Sequence, residues 1–136
     1  MTDKPPFDEA GRWPLQGLKV LDMGQVYNGP YAGFLLAQAG ADVIKIEPLE
    51  GEAIRSRGAS GEVPLAHVML NAGKRGIAIN LKSDDGRALF LDLVDKADVL
   101  LENFAPGAMD RLGIGSDVLL KRNPRLIYGS STGYGV

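Results

Sequence analysis

Leu18-Lys19-Val20-Leu21-Asp22-Met23-Gly24, followed by Gly29-Pro30 and then by Asp42-Val43-Ile44-Lys45-Ile46-Glu47-Pro48, is the stretch that decides the fold. The first and last segments are short apolar runs rich in Val, Ile and Leu, closed by Gly24 and Pro48, and read as strands. Between them Gly29-Pro30 opens a helix, because a proline in the first turn loses no N–H that would otherwise be bonded. Tyr31, Phe34, Leu35 and Gln38 follow at helical spacing, and Gly40 supplies the stop. Two such strands joined through a helix lie parallel, with a right-handed crossover.

Working outward, the alternation continues. A loop over 49–64 is rich in Gly, Ser and charge, and 65–71 reads as a short helix. Gly76–Leu81 is the third strand. Ser83 or Asp84 caps the next helix, in which Leu89 and Leu93, then Phe90 and Val94, recur four residues apart. Asp98–Glu102 is the fourth strand; Pro106 starts a helical segment through Leu112, a second runs over 116–122, and Arg125–Gly129 is the fifth strand. The expected fold class is therefore α/β, a Rossmann-like parallel sheet with helices on both faces. Residues 1–13 read as a flexible N-terminal extension and 14–136 as part of a Rossmann-like domain. A domain seldom ends on a turn such as Ser130-Ser131-Thr132-Gly133-Tyr134-Gly135-Val136 directly after a buried strand. The sequence is therefore expected to be the amino-terminal portion of a longer protein.

Composition narrows the function. With 136 residues, 45% hydrophobic and 24% charged, the chain can bury a core. The net charge of −2 lacks the basic excess of a general nucleic-acid binder. The absence of cysteine excludes a disulfide scaffold, a thiolate nucleophile and a Cys-ligated metal. His67 is the single histidine, so imidazole metal binding is poorly supported. No apolar run is long enough to span a membrane, and residues 1–14 have no apolar signal core. A cytoplasmic protein is expected.

Ligands of an open parallel sheet bind outside the carboxyl ends of its strands. That rule converges on Gly24–Pro30, Glu47-Pro48, Asn80–Lys82, Asn103–Arg111 and Ser130–Gly135. Small residues there let the backbone approach, helix amino ends offer N–H groups, and Lys82 and Arg111 bring charge suited to a phosphorylated, nucleotide-like ligand. The spacing Gly24, Gly29, Gly33, with Val26 and Tyr27 inside it, is not the G-x-G-x-x-G of a dinucleotide site. Glu47 sits where a ribose-binding acid would, though a surface carboxylate at a strand end is the plainer reading. Lys74-Arg75 reads as a solvated edge, and His67 as a core or half-buried residue. Asn103 could cap the helix at Pro106, and Arg111 could pair with Glu102 or Asp110.

Taken in order, several segments resemble the class III CoA-transferases, of the formyl-CoA transferase and carnitine-CoA transferase type. They are Pro14–Asp22, Gly29-Pro30, Leu36–Pro48, Asn71–Lys82, Ala97–Gly107 with Leu112-Gly113, Asn123–Tyr128 and Thr132–Gly135. The resemblance implies a Rossmann-like large domain, a separate small domain further along, and an interlocked homodimer. It implies transfer of CoA from an acyl-CoA to a small carboxylic acid, with coenzyme A or its thioester as substrate and no tightly bound cofactor or metal. An aspartate of the family attacks the thioester to form a mixed anhydride, and covalent catalysis divides one hard exchange into easier steps.

Carried over by position, the CoA-contacting residues are Tyr27 and Asn28 after the first strand, Ile79, Asn80, Leu81 and Lys82 around the third, Asn103, Phe104 and Ala105 after the fourth, and Arg111. Three departures stand out. Tyr27 replaces a glutamine of formyl-CoA transferase, Pro48 replaces a basic residue, and Asn80 stands where Asp is common. The family's nucleophilic aspartate lies beyond Thr132–Gly135, so no catalytic residue is expected in this chain, and alone it is expected to be inactive. The 2-methylacyl-CoA racemases share these motifs, with their His/Asp pair also downstream. A non-catalytic CoA- or nucleotide-binding domain is the reading from a different class.

Overall fold

The computed structural model describes residues 13–58 and 62–135. The extension expected over 1–13 lies outside them except for Trp13, whose side chain covers Gly40, where the backbone turns at φ +98°. Five strands follow in chain order: β1 Lys19–Asp22, β2 Asp42–Glu47, β3 Arg75–Ala78, β4 Val99–Glu102 and β5 Ile127–Ser130. The helices are α1 Asn28–Gln38, α2 Leu65–Leu70, α3 Asp84–Val94, α4 Ala108–Arg111 and α5 Ser116–Arg122, with a 3₁₀ turn at Ala53–Arg57.

All neighbouring strands pair parallel, in the order β3-β2-β1-β4-β5. The order reverses at β1, which pairs with β2 on one side and β4 on the other, and this is the switch point where such sheets bind ligands. Strand residues alternate between two apolar layers, as the pleat requires. Val20, Val43 and Val99 face α1, packing with Leu36 and Ala37. Leu21, Ile46 and Leu100 face the other way, against Phe90 and Val94 of α3, Met109 of α4 and Leu119 of α5. Helices therefore cover both faces, as the alternation of elements predicts.

Element ends differ from the sequence reading where turn chemistry intervenes. The third strand was expected to run to Leu81 and stops at Ala78. Ile79 N–H still reaches the Glu47 carbonyl at 2.8 Å, but Asn80 then turns the chain, its Oδ1 accepting from Lys82 N–H at 3.1 Å. Ser83 caps α3, accepting from Gly86 N–H at 3.1 Å. Pro106 does not begin a helix, because Gly107 adopts φ +74° and α4 starts after it. Part of the loop over 49–64 is wound into the 3₁₀ turn, which buries Ile54.

Candidate functional site

Between the ends of β1, β2, β3 and β4 lies a cavity of about 450 Å³, within the range of ligand clefts. Met23, Ile46, Leu49, Phe104 and Leu112 give it apolar walls, and Ile79, Asn80, Leu81 and Lys82 close one side. Its acids are Glu47, Glu50 and Glu52. A second hollow of about 310 Å³ lies between Asn28, Asn103, Phe104, Ala105 and the segment Ser131–Gly133. Phe104 borders both, so eight of the residues expected from sequence meet around two adjoining recesses. The structure separates off the other two. Tyr27 is exposed at the start of α1 and Arg111 is exposed on α4, and neither lines these recesses.

The loop from β1 to α1 runs between the two. Gly24 and Gly29 cross so closely that a Cβ on Gly24 would lie 2.5 Å from the Gly29 Cα, so only glycine serves at that crossing. Gly24 N–H donates to Asp22 Oδ1 at 2.8 Å, and Lys45 Nζ donates to the Gly24 carbonyl. Asn103 grips the next residue twice, its Oδ1 accepting from Gln25 N–H at 2.6 Å and its Nδ2 donating to the Gln25 carbonyl at 2.9 Å. Asn103 is thus a clamp on the neighbouring loop, and α4 has no side-chain cap. Val26, at φ +64°, donates its N–H to Glu52 Oε2 at 3.0 Å. Further along, Asn28 Nδ2 donates to Ser131 Oγ at 3.0 Å, tying this loop to the segment after β5.

Beneath the loop is a charged layer that the sequence reading missed. Lys74 is not part of a solvated edge: its side chain is 1% exposed, and Nζ donates to Asp22 Oδ2 at 2.6 Å, the Pro30 carbonyl at 2.7 Å and Asn71 Oδ1 at 2.9 Å. Burial pulls its pKa below the ordinary lysine value although Asp22 opposes the shift. Arg75, its neighbour, does face solvent and pairs with Asp42. Glu47 is buried rather than on the surface. Burial alone would raise its pKa, but Arg55, bonded to both oxygens at 2.6 and 2.8 Å, and Glu52 N–H at 3.0 Å together hold it below the ordinary carboxylate value. Those partners leave it unsuited to the ribose role. His67 is buried as expected, with Nδ1 3.3 Å from Glu52 Oε1.

Arg111 forms no ion pair among the described residues, with Glu102 and Asp110 included. Glu102 is engaged elsewhere, accepting from Phe104 N–H at 2.8 Å and from the Tyr128 hydroxyl at 3.4 Å. Burial, with Glu102 beside it, pushes the Tyr128 hydroxyl well above the ordinary tyrosine range. Among the described residues there is no cluster suited to a metal ion, and no helix long and apolar enough to cross a membrane. The signal that could have exposed the buried layer is the charge at the ends of apolar strands, at Asp22, Lys45, Glu47 and Glu102.

The family model described as CoA-transferase family III matches residues 15–136. The acetyl-CoA:oxalate CoA-transferase of Acetobacter aceti is 47% identical over 99% of this chain and 35% of its own length. A formyl-CoA:oxalate CoA-transferase of Streptomyces coelicolor is 43% identical over 89% of this chain and 30% of its own. Among solved structures, a CAIB/BAIF family protein of Brucella suis superposes with TM-score 0.85 at 40% identity, covering 90% of this chain and 34% of that one. The Mycobacterium tuberculosis protein Rv3272 superposes with TM-score 0.82 at 43% identity over 91% of this chain and 34% of its own. The chain thus spans about a third of the length of the curated relatives it matches.

Proposed function

The chain belongs to CoA-transferase family III, and from that premise we propose that its carboxyl edge holds the coenzyme A of an acyl-CoA whose CoA is passed to a small carboxylic acid. The observation that carries this reading is the meeting of Ile79, Asn80, Leu81, Lys82 and Phe104 on one cavity beside the switch point. Apolar walls from Met23, Leu49 and Phe104 suit a flat heterocycle, and Lys82 at the mouth suits a phosphate. Asn28, Asn103 and Ala105 then line the path along which the thioester arm would run. Relatives named for oxalate as acceptor favour a small acid.

The reaction we propose passes through an anhydride between the acyl group and an aspartate. The aspartate carboxylate attacks the thioester carbon and expels the CoA thiolate; the thiolate attacks the aspartyl carbonyl and releases the donor acid as its carboxylate. The acceptor carboxylate then displaces the thiolate from that aspartyl thioester as a second anhydride, and the thiolate attacks the acceptor carbonyl, giving the new thioester and the free aspartate. Among the described residues no aspartate lines either recess, and several are held in ion pairs. Asp22 is buried against Lys74, Asp42 pairs with Arg75, Asp84 with Arg87, Asp95 with Arg122 and Asp98 with Arg125. We therefore place the nucleophile outside these residues, in a cytoplasmic, dimeric enzyme of which residues 14–136 form part of the large domain. The test is calorimetric titration of the chain with CoA, paired with incubation with acetyl-CoA and a panel of carboxylic acids. Weak CoA binding without thioester exchange is the expected result. Exchange by the 136 residues alone would overturn the placement of the nucleophile, and no CoA binding at millimolar concentration would overturn the site.

A further inference from the structure

Val26 is the one non-glycine residue with positive φ among those described, and it is β-branched, the kind of side chain that the left-handed region least tolerates. Such a conformation persists only where the surroundings over-determine it. Here they do. Gly24, Gln25 and Val26 have their backbone groups held by Asp22, Lys45, Asn103 and Glu52, side chains from β1, β2, the end of β4 and the start of the 3₁₀ turn. Only the Glu52 bond acts on Val26 itself. Glu52 is 3% exposed and fixed on every side. Oε1 faces His67 Nδ1, Oε2 lies 4.0 Å from Lys45 Nζ, and its own N–H is bound to Glu47 Oε2.

We propose that Glu52 is a positioning residue for CoA recognition: by accepting the Val26 N–H it locks the β1–α1 loop in the left-handed turn that sets Tyr27 and Asn28 at the strand-end edge. This rests on the CoA reading above. A relaxed Val26 at negative φ would redirect the chain entering α1 and break the Gly24–Gly29 crossing, so Asn28 would leave the second recess.

The experiment is a double-mutant cycle of Glu52→Ala with Val26→Gly, alongside Glu52→Gln, with CoA as the titrant. Positive φ is read without ligand from the strong intraresidue HN–Hα nuclear Overhauser effect of residue 26. Glu52→Ala is expected to lose that signal and weaken CoA binding about tenfold. Glu52→Gln, which keeps an acceptor oxygen, should retain both. Because glycine adopts positive φ without strain, Val26→Gly should restore most of the lost affinity in the Glu52→Ala background. A Glu52→Ala protein that keeps the turn, or whose lost affinity Val26→Gly leaves unrestored, overturns the proposal. Should Glu52→Ala not fold, the double variant decides: a folded protein supports the inference and an unfolded one refutes it. Absence of CoA binding by the unsubstituted chain would sink the CoA reading and the recognition role with it, while the Overhauser signal would still show separately whether Glu52 sets the turn.

Discussion

Replacing Lys74 by methionine should be among the most damaging single changes in this domain. Methionine preserves much of the length and apolar stem but removes the ammonium. Asp22, fully buried, would then keep its charge with only the Gly24 N–H to answer it. The Pro30 carbonyl and Asn71 Oδ1 would lose their donor as well. Breaking a buried ion pair from one side costs about 3–5 kcal/mol, because an uncompensated charge remains in the interior. Set against a typical domain stability of about 5–15 kcal/mol, that is a large fraction. The pair is not itself strongly stabilising: burial already depresses the Lys74 pKa, so the ammonium is disfavoured by its surroundings and retained by Asp22. The expected signature is thus non-additivity. Lys74→Met and Asp22→Asn should each destabilise severely, while the double variant, which leaves no charge unpaired, should cost clearly less than their sum. Arg75→Ala is the internal control, since its pair with Asp42 is solvent-exposed and worth about 0–1 kcal/mol. Urea unfolding followed by circular dichroism measures all four. A Lys74→Met loss below about 1 kcal/mol would refute the reasoning, because it would mean that Asp22 is neutralised or hydrated some other way.

Phe104→Ala removes the wall shared by the two recesses and should weaken CoA binding about tenfold by calorimetry, from the lost apolar burial; unchanged affinity would move the site elsewhere. Lys82→Ala, at the mouth of the larger recess, should also weaken CoA binding, more at low salt where charge is least screened, and an effect independent of salt would argue against a phosphate contact. Glu47 carries a lowered pKa in the folded state. Its contribution to stability is therefore present above the ordinary carboxylate value and lost as pH falls through the folded value. The stability gap between the native sequence and Glu47→Gln should hold at neutral pH and close below about pH 4, as followed by thermal unfolding across a pH series.

The parallel sheet was legible because β1, β2 and β4 are rich in Val, Ile and Leu and α3 repeats at the helical period, signals that depend only on neighbours in sequence. Phe90 and Val94, four residues apart, both reach the core, as that period requires. The site residues after β3 and β4 were legible for a related reason, since strand ends follow once strands are placed. Tyr27 and Arg111 lie on the same strand-end segments, yet they fall outside the recesses. Lys74 was misread because lysine beside arginine before a strand is ordinarily solvated. Its burial follows from Asp22, 52 positions away, and no local pattern reveals such a partner. The clamping roles of Asn103 and Glu52 were hidden likewise: both act on the backbone of the β1–α1 loop, at separations of 78 and 26 residues.

One regularity in that hidden layer bears on the chemistry. β1, β2 and β4, the three central strands, each end in a buried acid, and each acid bends back to accept an N–H from the loop that follows it. Asp22 takes Gly24 N–H, Glu47 takes Glu52 N–H, and Glu102 takes Phe104 N–H. Loops leaving a parallel sheet carry N–H groups with no strand partner, and unpaired buried donors are costly. A carboxylate at the strand end supplies the acceptor and fixes the loop's first step at once. Each of these acids has a further partner too, Lys74 for Asp22, Arg55 for Glu47 and Tyr128 for Glu102. A carboxylate so engaged is a poor nucleophile, because attack on a thioester requires surrendering bonds that hold the loops. The acids at these strand ends build the edge, so in the reaction proposed above the reacting carboxylate comes from a different segment.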